Sequence, residues 1–475
     1  MSTSVCRTDV ERFCARLPDV VGGLGNGHDV VVVTRAPAVV DVIGGLVEDG
    51  GGSVILGPLD VAVAAAAAGR RDRRLALCRL GGETRVERSV PIAALEPTAP
   101  AAAAQETLGD VLFDAPATRA VLRLLRDLWE SGGAARMRDG LSIVVQSDWP
   151  ADAPFDLAGS LLAAVVEAAA EFIGLGIDAS AKALLCRSAA RAGGCAAPGV
   201  RVPLSALLAE AGGLLFVRAH PTPTPTPMEL PEGLTVAVLD TQLRRPVAAQ
   251  RYIETSVAAA MGHRMIVDLI RRDGQAVELD GAVLTNVAPP DFVRRFRNRL
   301  PTRLAGRVFL ERFGDPSAAA GPVDPDTVYK VRSRAEHFIY ENRRVTEFAN
   351  TLARCRRTHD PADLAHAGEL WFASHWSHSQ RCGIGSVETD LIAGAVRRLG
   401  PENGFFGAKV TGFGSGGGMV VLMKDTPEHQ ARLKGALSEV QTKTGGAIRT
   451  FAGAAAGASR VGPRRLESVL TAAGG

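Results

Sequence analysis

Residues 407–423 read GAKVTGFGSGGGMVVLM. Five glycines, Gly412, Gly414, Gly416, Gly417 and Gly418, lie between Thr411 and Met419, and an apolar run follows at once. Glycines at this density let a backbone take φ > 0 and approach a ligand closely. Successive exposed backbone N–H groups can then cradle an anion such as a phosphate. Gly412, Gly414 and Gly417 also have a dinucleotide-type spacing, but that motif requires a helix directly after it. Met419-Val-Val-Leu-Met423 reads instead as a second strand. The stretch therefore predicts a glycine-rich strand–loop–strand. Local pattern alone leaves a bare flexible hairpin open as the alternative. No GxxxxGK[ST] phosphate loop occurs in the chain.

The chain around this stretch has 475 residues, long enough for two or three domains. Hydrophobic content of 46% and charged content of 22% are globular values. With 54 basic and 51 acidic residues, the net charge of +3 implies no basic face and disfavours a nucleic-acid partner. Seven scattered cysteines without CxxC spacing point to reduced thiols in a cytoplasm. The opening MSTSVCRTDVERFCARL has no signal-peptide core. The apolar stretch 161–177 contains Glu167 and Glu171, so it reads as a buried helix and not as a span. A soluble cytoplasmic protein with no membrane partner is expected.

Periodicity predicts helices over 9–17, 118–131 (capped by Thr118), 157–173, 253–272, 332–356, 361–380 and 428–442. It predicts strands over 28–34, 141–146 and 234–239, a glycine-broken loop with strand pieces over 36–58, and a loop over 148–156. The alternating tract PTPTPTP at 221–227 predicts an extended polyproline surface loop or linker. The Ala/Gly-rich tail 451–475 reads as loosely held. No internal repeat is present.

Three separated pieces resemble one family. APAVVDVIGG at 36–45 is similar to the APGR-x-D/N-x-x-G-G/E opening of the GHMP small-molecule kinases (galactokinase, homoserine kinase, mevalonate kinase, phosphomevalonate kinase). Residues 154–164 sit where that family keeps its phosphate loop. Residues 407–419 resemble its third motif, GAK-x-TG-x-G-x-GG, almost residue for residue. The galactokinase and L-arabinokinase branch fits best. Its likeness extends through DTQLR at 240–244, Tyr252, Met261-Gly262, YENRRV at 340–345, Gly368-Glu-Leu and Ser374-His375.

The resemblance implies an α+β fold of two domains: an S5-domain-2-like N-terminal part over 1–230 and a ferredoxin-like α/β sandwich over 231–475. The nucleotide cleft would lie between them. It implies ATP and Mg²⁺ as cofactors. Gly159, Ser160, Gly412, Gly414, Ser415, Gly416 and Gly417 would meet the phosphates, and Ser160 the metal. Asp41, Gly44, Gly45, Glu48 and Tyr252 would meet the substrate. A helix N-terminus suits the phosphates because its amides are unpaired and its dipole favours anions. Such chemistry depends on positioning and charge neutralisation more than on covalent catalysis.

The chain departs from the family pattern at named positions. The phosphate loop P-x-x-x-G-[LV]-S-S-S-A becomes PFDLAGSLLA over 154–163. One serine, Ser160, remains, and Leu161 and Leu162 offer neither donor nor lone pair. The family's arginine and aspartate fall at Val39 and Val202. Of the sugar-binding E-H-x-D, Glu48 alone keeps an acid, followed by Asp49. Glu48 and Asp49 are the candidate catalytic acids. Asp156 is a third, with helix capping as its ordinary role. His375, His378 and Cys382 have metal-like helical spacing, with helix packing the default reading, and Glu388 and Asp390 read as surface acids. The expected activity is ATP-dependent phosphoryl transfer to a monosaccharide hydroxyl. The alternative is a catalytically degenerate pseudokinase that binds sugar or nucleotide or regulates. Partner proteins are not legible.

Overall fold

Three valines open the strand on which the molecule is built. β1, Val31–Ile43, is buried along its whole length. The computed structural model describes residues 2–21, 30–149, 153, 155–195, 199–243, 247–274, 283–316, 321–412, 417–451, 453 and 455–466. β1 pairs antiparallel with β2, Ser53–Gly69, with register shifts near Pro37–Val39 and Asp41–Ile43. β3 (Arg74–Leu80), β4 (Arg85–Pro91) and β5 (Leu141–Ser147) extend this sheet in the order β1-β2-β5-β3-β4. β6 (Gly213–Arg218) pairs with the start of β2, and β7 (Thr224–Glu229) pairs with β6.

A second sheet contains β8, Leu234–Asp240. β9 (Leu304–Ala305) and β10 (Val328–Tyr329) form a short separate ribbon. β11 (Phe405–Val410), β12 (Gly418–Lys424) and β13 (Arg449–Phe451) complete the second sheet in the order β11-β12-β8-β13, all antiparallel. β14, Arg464–Leu466, returns to the first sheet and pairs with β1.

The helix Leu157–Ile173 packs on β1 and β2. Small residues on both sides allow close approach: Ala163, Ala164 and Ala168 of the helix and Ala65 and Ala67 of β2 are buried. Thr34 Oγ1 donates to Ala164 O at 2.7 Å, fixing the helix's height over β1. Asp156 caps its start and Gly174 ends it in the left-handed region. On the other face, Phe13, Leu17 and Val20 of the helix Ser2–Val21 pack against Val31, Val33, Ala66 and Val144. In the second sheet, Phe405, Met419, Val421 and Met423 pack against Leu433, Leu437, Ile392 and Val396 from two helices. Among the described residues no helix is long and apolar enough to cross a membrane, and the six described cysteines are unpaired.

Several local expectations change. The tract 36–58 is mostly regular: β1 runs to Ile43, a 3-10 helix covers Gly45–Gly50, and β2 starts at Ser53. Burial on both faces hides the alternation that would have revealed the strands. The helix expected over 118–131 is Ala115–Leu128, and Asp114, with Pro116 just inside, caps it. Thr118 Oγ1 instead donates to Asp114 O and accepts from Leu112 N.

The proline tract is no linker, since Thr224–Glu229 is β7, with Pro225 opposite Val217 and Pro227 opposite Leu215. Prolines at every second position of an edge strand lose only N–H groups that point away from the single partner. The tail is partly anchored. Ser459 Oγ donates to Glu167 Oε2 at 2.6 Å, and β14 is paired. Residues 467–475 lie outside the described set.

Candidate active site

β11 and β12 pair from Phe405↔Met423 to Val410↔Met419, so the glycine stretch is the predicted strand–loop–strand. Gly414, Ser415 and Gly416 lie outside the described residues. Gly412 and Gly417, near the two ends of the loop, have φ of 59° and 95°. A side chain at Gly417 would also strike Thr241 Oγ1, so the position calls for glycine. Thr241 N donates to Gly417 O and Thr411 N to Gly418 O, both at 2.9 Å. Thr411 Oγ1 donates to Asp41 O at 2.9 Å, tying the hairpin's mouth to β1.

Behind the hairpin, Lys409 is buried and donates to Val410 O at 2.6 Å. Burial lowers its pKa, against the pull of Glu341 and Asp41. Glu341 accepts from Arg344 Nη1 at 2.6 Å and from the Ser374 hydroxyl. His337, Glu341 and His378 hold candidate metal-ligand atoms within 4.8 Å of one another. Burial pushes His378 down to about 4 and His337 well below its usual value, so both rings are neutral at pH 7. Arg344 and Lys409 already balance Glu341, and we read the group as a polar core supporting β11. His375, His378 and Cys382 do not converge as a metal face, and among the described residues the default packing reading holds for them. His375 Nε2 faces Asp390 Oδ1 at 3.0 Å, whereas His378 Nδ1 donates to Ser374 O at 2.9 Å.

The facing wall begins at Asp156, whose Oδ1 accepts from Gly159 N at 2.9 Å. Ser160 is buried and its hydroxyl donates to Pro37 O at 2.9 Å. Leu161 and Leu162, where the family pattern has serines, are buried in the main apolar cluster. The two positions serve packing here. The residues present therefore do not build a serine cage for magnesium. An ion carried on nucleotide phosphates would keep mostly water ligands.

Between the walls lies a group that sequence reading did not assemble. Gly44, at φ 107°, turns the chain out of β1, and a Cβ there would sit 2.9 Å from Ser53 O. Gly45 follows at φ 55°, against Asp41 Oδ2. Glu48 then points at the start of the helix Arg201–Leu208. Its Oε1 accepts from Val200 N at 2.7 Å and Arg201 N at 3.1 Å. Its Oε2 pairs with Arg201 Nη1 at 2.5 Å. Arg201 Nε donates to Asp41 Oδ1 at 3.0 Å, and Nη2 to Tyr252 Oη at 3.2 Å. Ser256, one turn after Tyr252, donates to Asp49 Oδ2 at 2.7 Å. The structure thus brings Asp41, Glu48 and Tyr252 onto one guanidinium, with Asp49 held just beside them.

Arg201 stands one position before Val202, where the family has its aspartate, and its partners are distant in sequence. The available signal was a lone arginine within the apolar run VRVPLSALL at 200–208.

The electrostatics follow from burial. Burial opposes the Arg201 charge, but Asp41, Tyr252 and Glu48 outweigh it and hold its pKa well above the usual value. Burial raises Asp156 to about 6, offset in part by Gly159 N–H and Arg201. Burial also raises Asp49, against the Ser256 hydrogen bond, and raises Tyr252. A cavity of about 270 Å³ opens beside Asp49 and Ser256 and reaches Ala259, His263 and Phe338. A larger one, about 1180 Å³, lies between the two sheets and is lined by Val40, Leu59, Leu214, Val236 and Phe451. Val40 faces that space while its neighbour Asp41 faces the cluster, the alternation expected of a strand.

The fold and the three motif sites resemble those of the GHMP small-molecule kinases. No family model matches the chain. L-arabinokinase of Arabidopsis thaliana is 27% identical over 359 residues, 70% of this chain and 34% of that protein. Galactokinase of Mycobacterium tuberculosis strain H37Rv is 36% identical over 115 residues, 24% of this chain and 26% of that protein. The chain thus spans about a third or less of these curated relatives. The crystal structure of Lactococcus lactis galactokinase complexed with galactose superposes with a TM-score of 0.69 at 16% identity, covering 96% of this chain and 99% of that one. These similarities support the GHMP kinase superfamily and, within it, the galactokinase and L-arabinokinase-like branch.

Proposed function

We propose that the protein transfers the γ-phosphoryl group of ATP to a hydroxyl of a monosaccharide. One observation carries this reading: β1 holds both anion-friendly backbones. Pro37 O accepts the Ser160 hydroxyl of the phosphate-loop helix, and Asp41 O accepts the Thr411 hydroxyl of the glycine hairpin. Two carbonyls of one strand, four positions apart, thus tie the start of that helix and the mouth of the glycine hairpin to β1. Both are backbone sites suited to phosphate. The acceptor would meet the wall of Asp41, Glu48 and Tyr252, and the relatives' names make aldoses the class to try. ATP would bring its magnesium, for which the described residues supply few ligands of their own. The division at 230/231, with β14 returned to the first sheet, and a cytoplasmic location belong to this proposal.

The test is ADP release by purified protein with ATP and magnesium across a panel of aldoses that includes L-arabinose and D-galactose, beside a calorimetric nucleotide titration. Aldose-dependent ADP release is expected. Nucleotide binding without turnover would transfer the role to the pseudokinase alternative, and binding of neither ligand would overturn both.

A further inference from the structure

The chain lacks a guanidinium at Val39 and a carboxylate at Val202, both buried valines here. Each missing group has a counterpart close by, delivered from a different element. Arg201 enters from the helix that also carries Val202 and binds Asp41, two residues past Val39 on β1, and Glu48, on the 3-10 helix that follows. Asp156 enters from the start of the helix Leu157–Ile173. A Cβ placed on Gly159 would lie 2.6 Å from Val202 Cγ1 and 2.8 Å from Asp156 Oδ2. The Val202 side chain and the Asp156 carboxylate therefore press on the same small patch of backbone, with Asp156 on the phosphate-loop side. Only Oδ1 of that carboxylate is used by the helix cap.

Resting on the sugar-kinase reading above, we propose that the carboxylate and guanidinium of this site are transposed: Asp156 takes the acceptor hydroxyl's proton, and Arg201 positions Glu48 and Tyr252 for the acceptor. In the step, the acceptor oxygen bonds to the γ-phosphorus of ATP while the bond from that phosphorus to the β,γ-bridging oxygen breaks. ADP leaves with the electron pair, the hydroxyl proton passes to Asp156, and solvent later removes it. The charged and titratable groups around Asp156 are Arg201, Asp41, Glu48 and Cys195. Its raised proton affinity, near 6, suits a base working at neutral pH. Arg201 acts through others. Its fork holds the Glu48 carboxylate, which two backbone N–H groups also fix, and it reaches the Tyr252 hydroxyl. A lysine offers a point charge without that fork.

Asp156→Asn keeps an oxygen for the Gly159 cap, so its folding is preserved. The expected result is a kcat about 10²–10⁴-fold lower with the KM for ATP close to wild type and a melting temperature at neutral pH no lower than wild type. A merely structural aspartate would instead lower the melting temperature and leave kcat. Arg201→Lys should raise the aldose KM about tenfold or more with kcat within about threefold, the pattern of lost uniform binding.

Where that variant unfolds, Glu48→Gln reads the same positioning and should raise aldose KM alone. If no aldose is turned over, ATP hydrolysis with water as acceptor replaces it, and Asp156→Asn must slow that reaction. Wild-type turnover surviving intact in Asp156→Asn overturns the transposed pair and leaves the kinase reading standing. No turnover of either acceptor by the wild type overturns both.

Discussion

The two walls of the cleft are built from different materials. The glycine hairpin works through backbone: Gly412 and Gly417 set its ends, Thr411 ties it to β1, and a buried polar group around Lys409 and Glu341 supports it. The facing wall works through side chains, and there the chain has changed most. Leucines occupy the second and third serine positions, valines occupy 39 and 202, and a buried arginine holds Asp41 and Glu48. A backbone site tolerates drift in its neighbours so long as the turn survives. A side-chain site depends on every member, and here Arg201 gathers Asp41, Glu48 and Tyr252.

The largest expected effect breaks the side-chain wall. Arg201→Met leaves Asp41 and Glu48 buried without their partner, and removal of one member of a buried pair costs about 3–5 kcal/mol. Chemical denaturation reads this directly. The exposed pair Arg397–Glu369, with side chains 55% and 63% exposed, provides the contrast, since such pairs contribute little. A loss under about 1 kcal/mol at Arg201 would mean that the cluster is not the organising feature of that wall.

Next comes Leu161→Ser, which restores a family hydroxyl on paper. Leu161 is fully buried, so the substitution should cost about 2–5 kcal/mol and give no gain in magnesium affinity by calorimetry. A gain in metal binding would mean that the position faces the phosphates after all.

Asp156→Asn sharpens the comparison through pH. The folded state holds the Asp156 proton more tightly than the unfolded chain does, at about 6 against 3.8. That contribution to stability is complete below the unfolded value and is lost as pH rises through about 6. Asparagine carries no such term. The variant should therefore gain on wild type between pH 4 and pH 7, by at most about 3 kcal/mol. Parallel stability curves would contradict an Asp156 that holds its proton more tightly in the fold.

The smallest effect belongs to the backbone wall. Gly417→Ala forces a side chain onto positive φ and against Thr241 and should cost about 1–3 kcal/mol. Nucleotide affinity should fall with it in a calorimetric titration. Unchanged affinity would separate the hairpin from the phosphates.

The two walls also differed in legibility. The hairpin was readable because glycine density and the apolar run after it are local signals, and the same holds for the helix Leu157–Ile173, whose two ends carry Asp156 and Gly174. The strand at 234–239 and the helix near 428–442 also emerged at nearly their observed bounds. The Arg201 cluster was not readable, because Arg201 meets Asp41 across 160 positions of sequence and Tyr252 across 51. The proline tract misled for a different reason. Polyproline and edge-strand backbones are both extended, and only the partner β6 distinguishes them.

The most direct measurement is phosphorus NMR of purified protein incubated with ATP, magnesium and L-arabinose or D-galactose, with Asp156→Asn in parallel. The account predicts a sugar-phosphate resonance growing with ADP in the wild type and nearly absent in the variant. ATP remaining intact with every aldose, while calorimetry shows it bound, would contradict a phosphoryl-transfer role for this cleft.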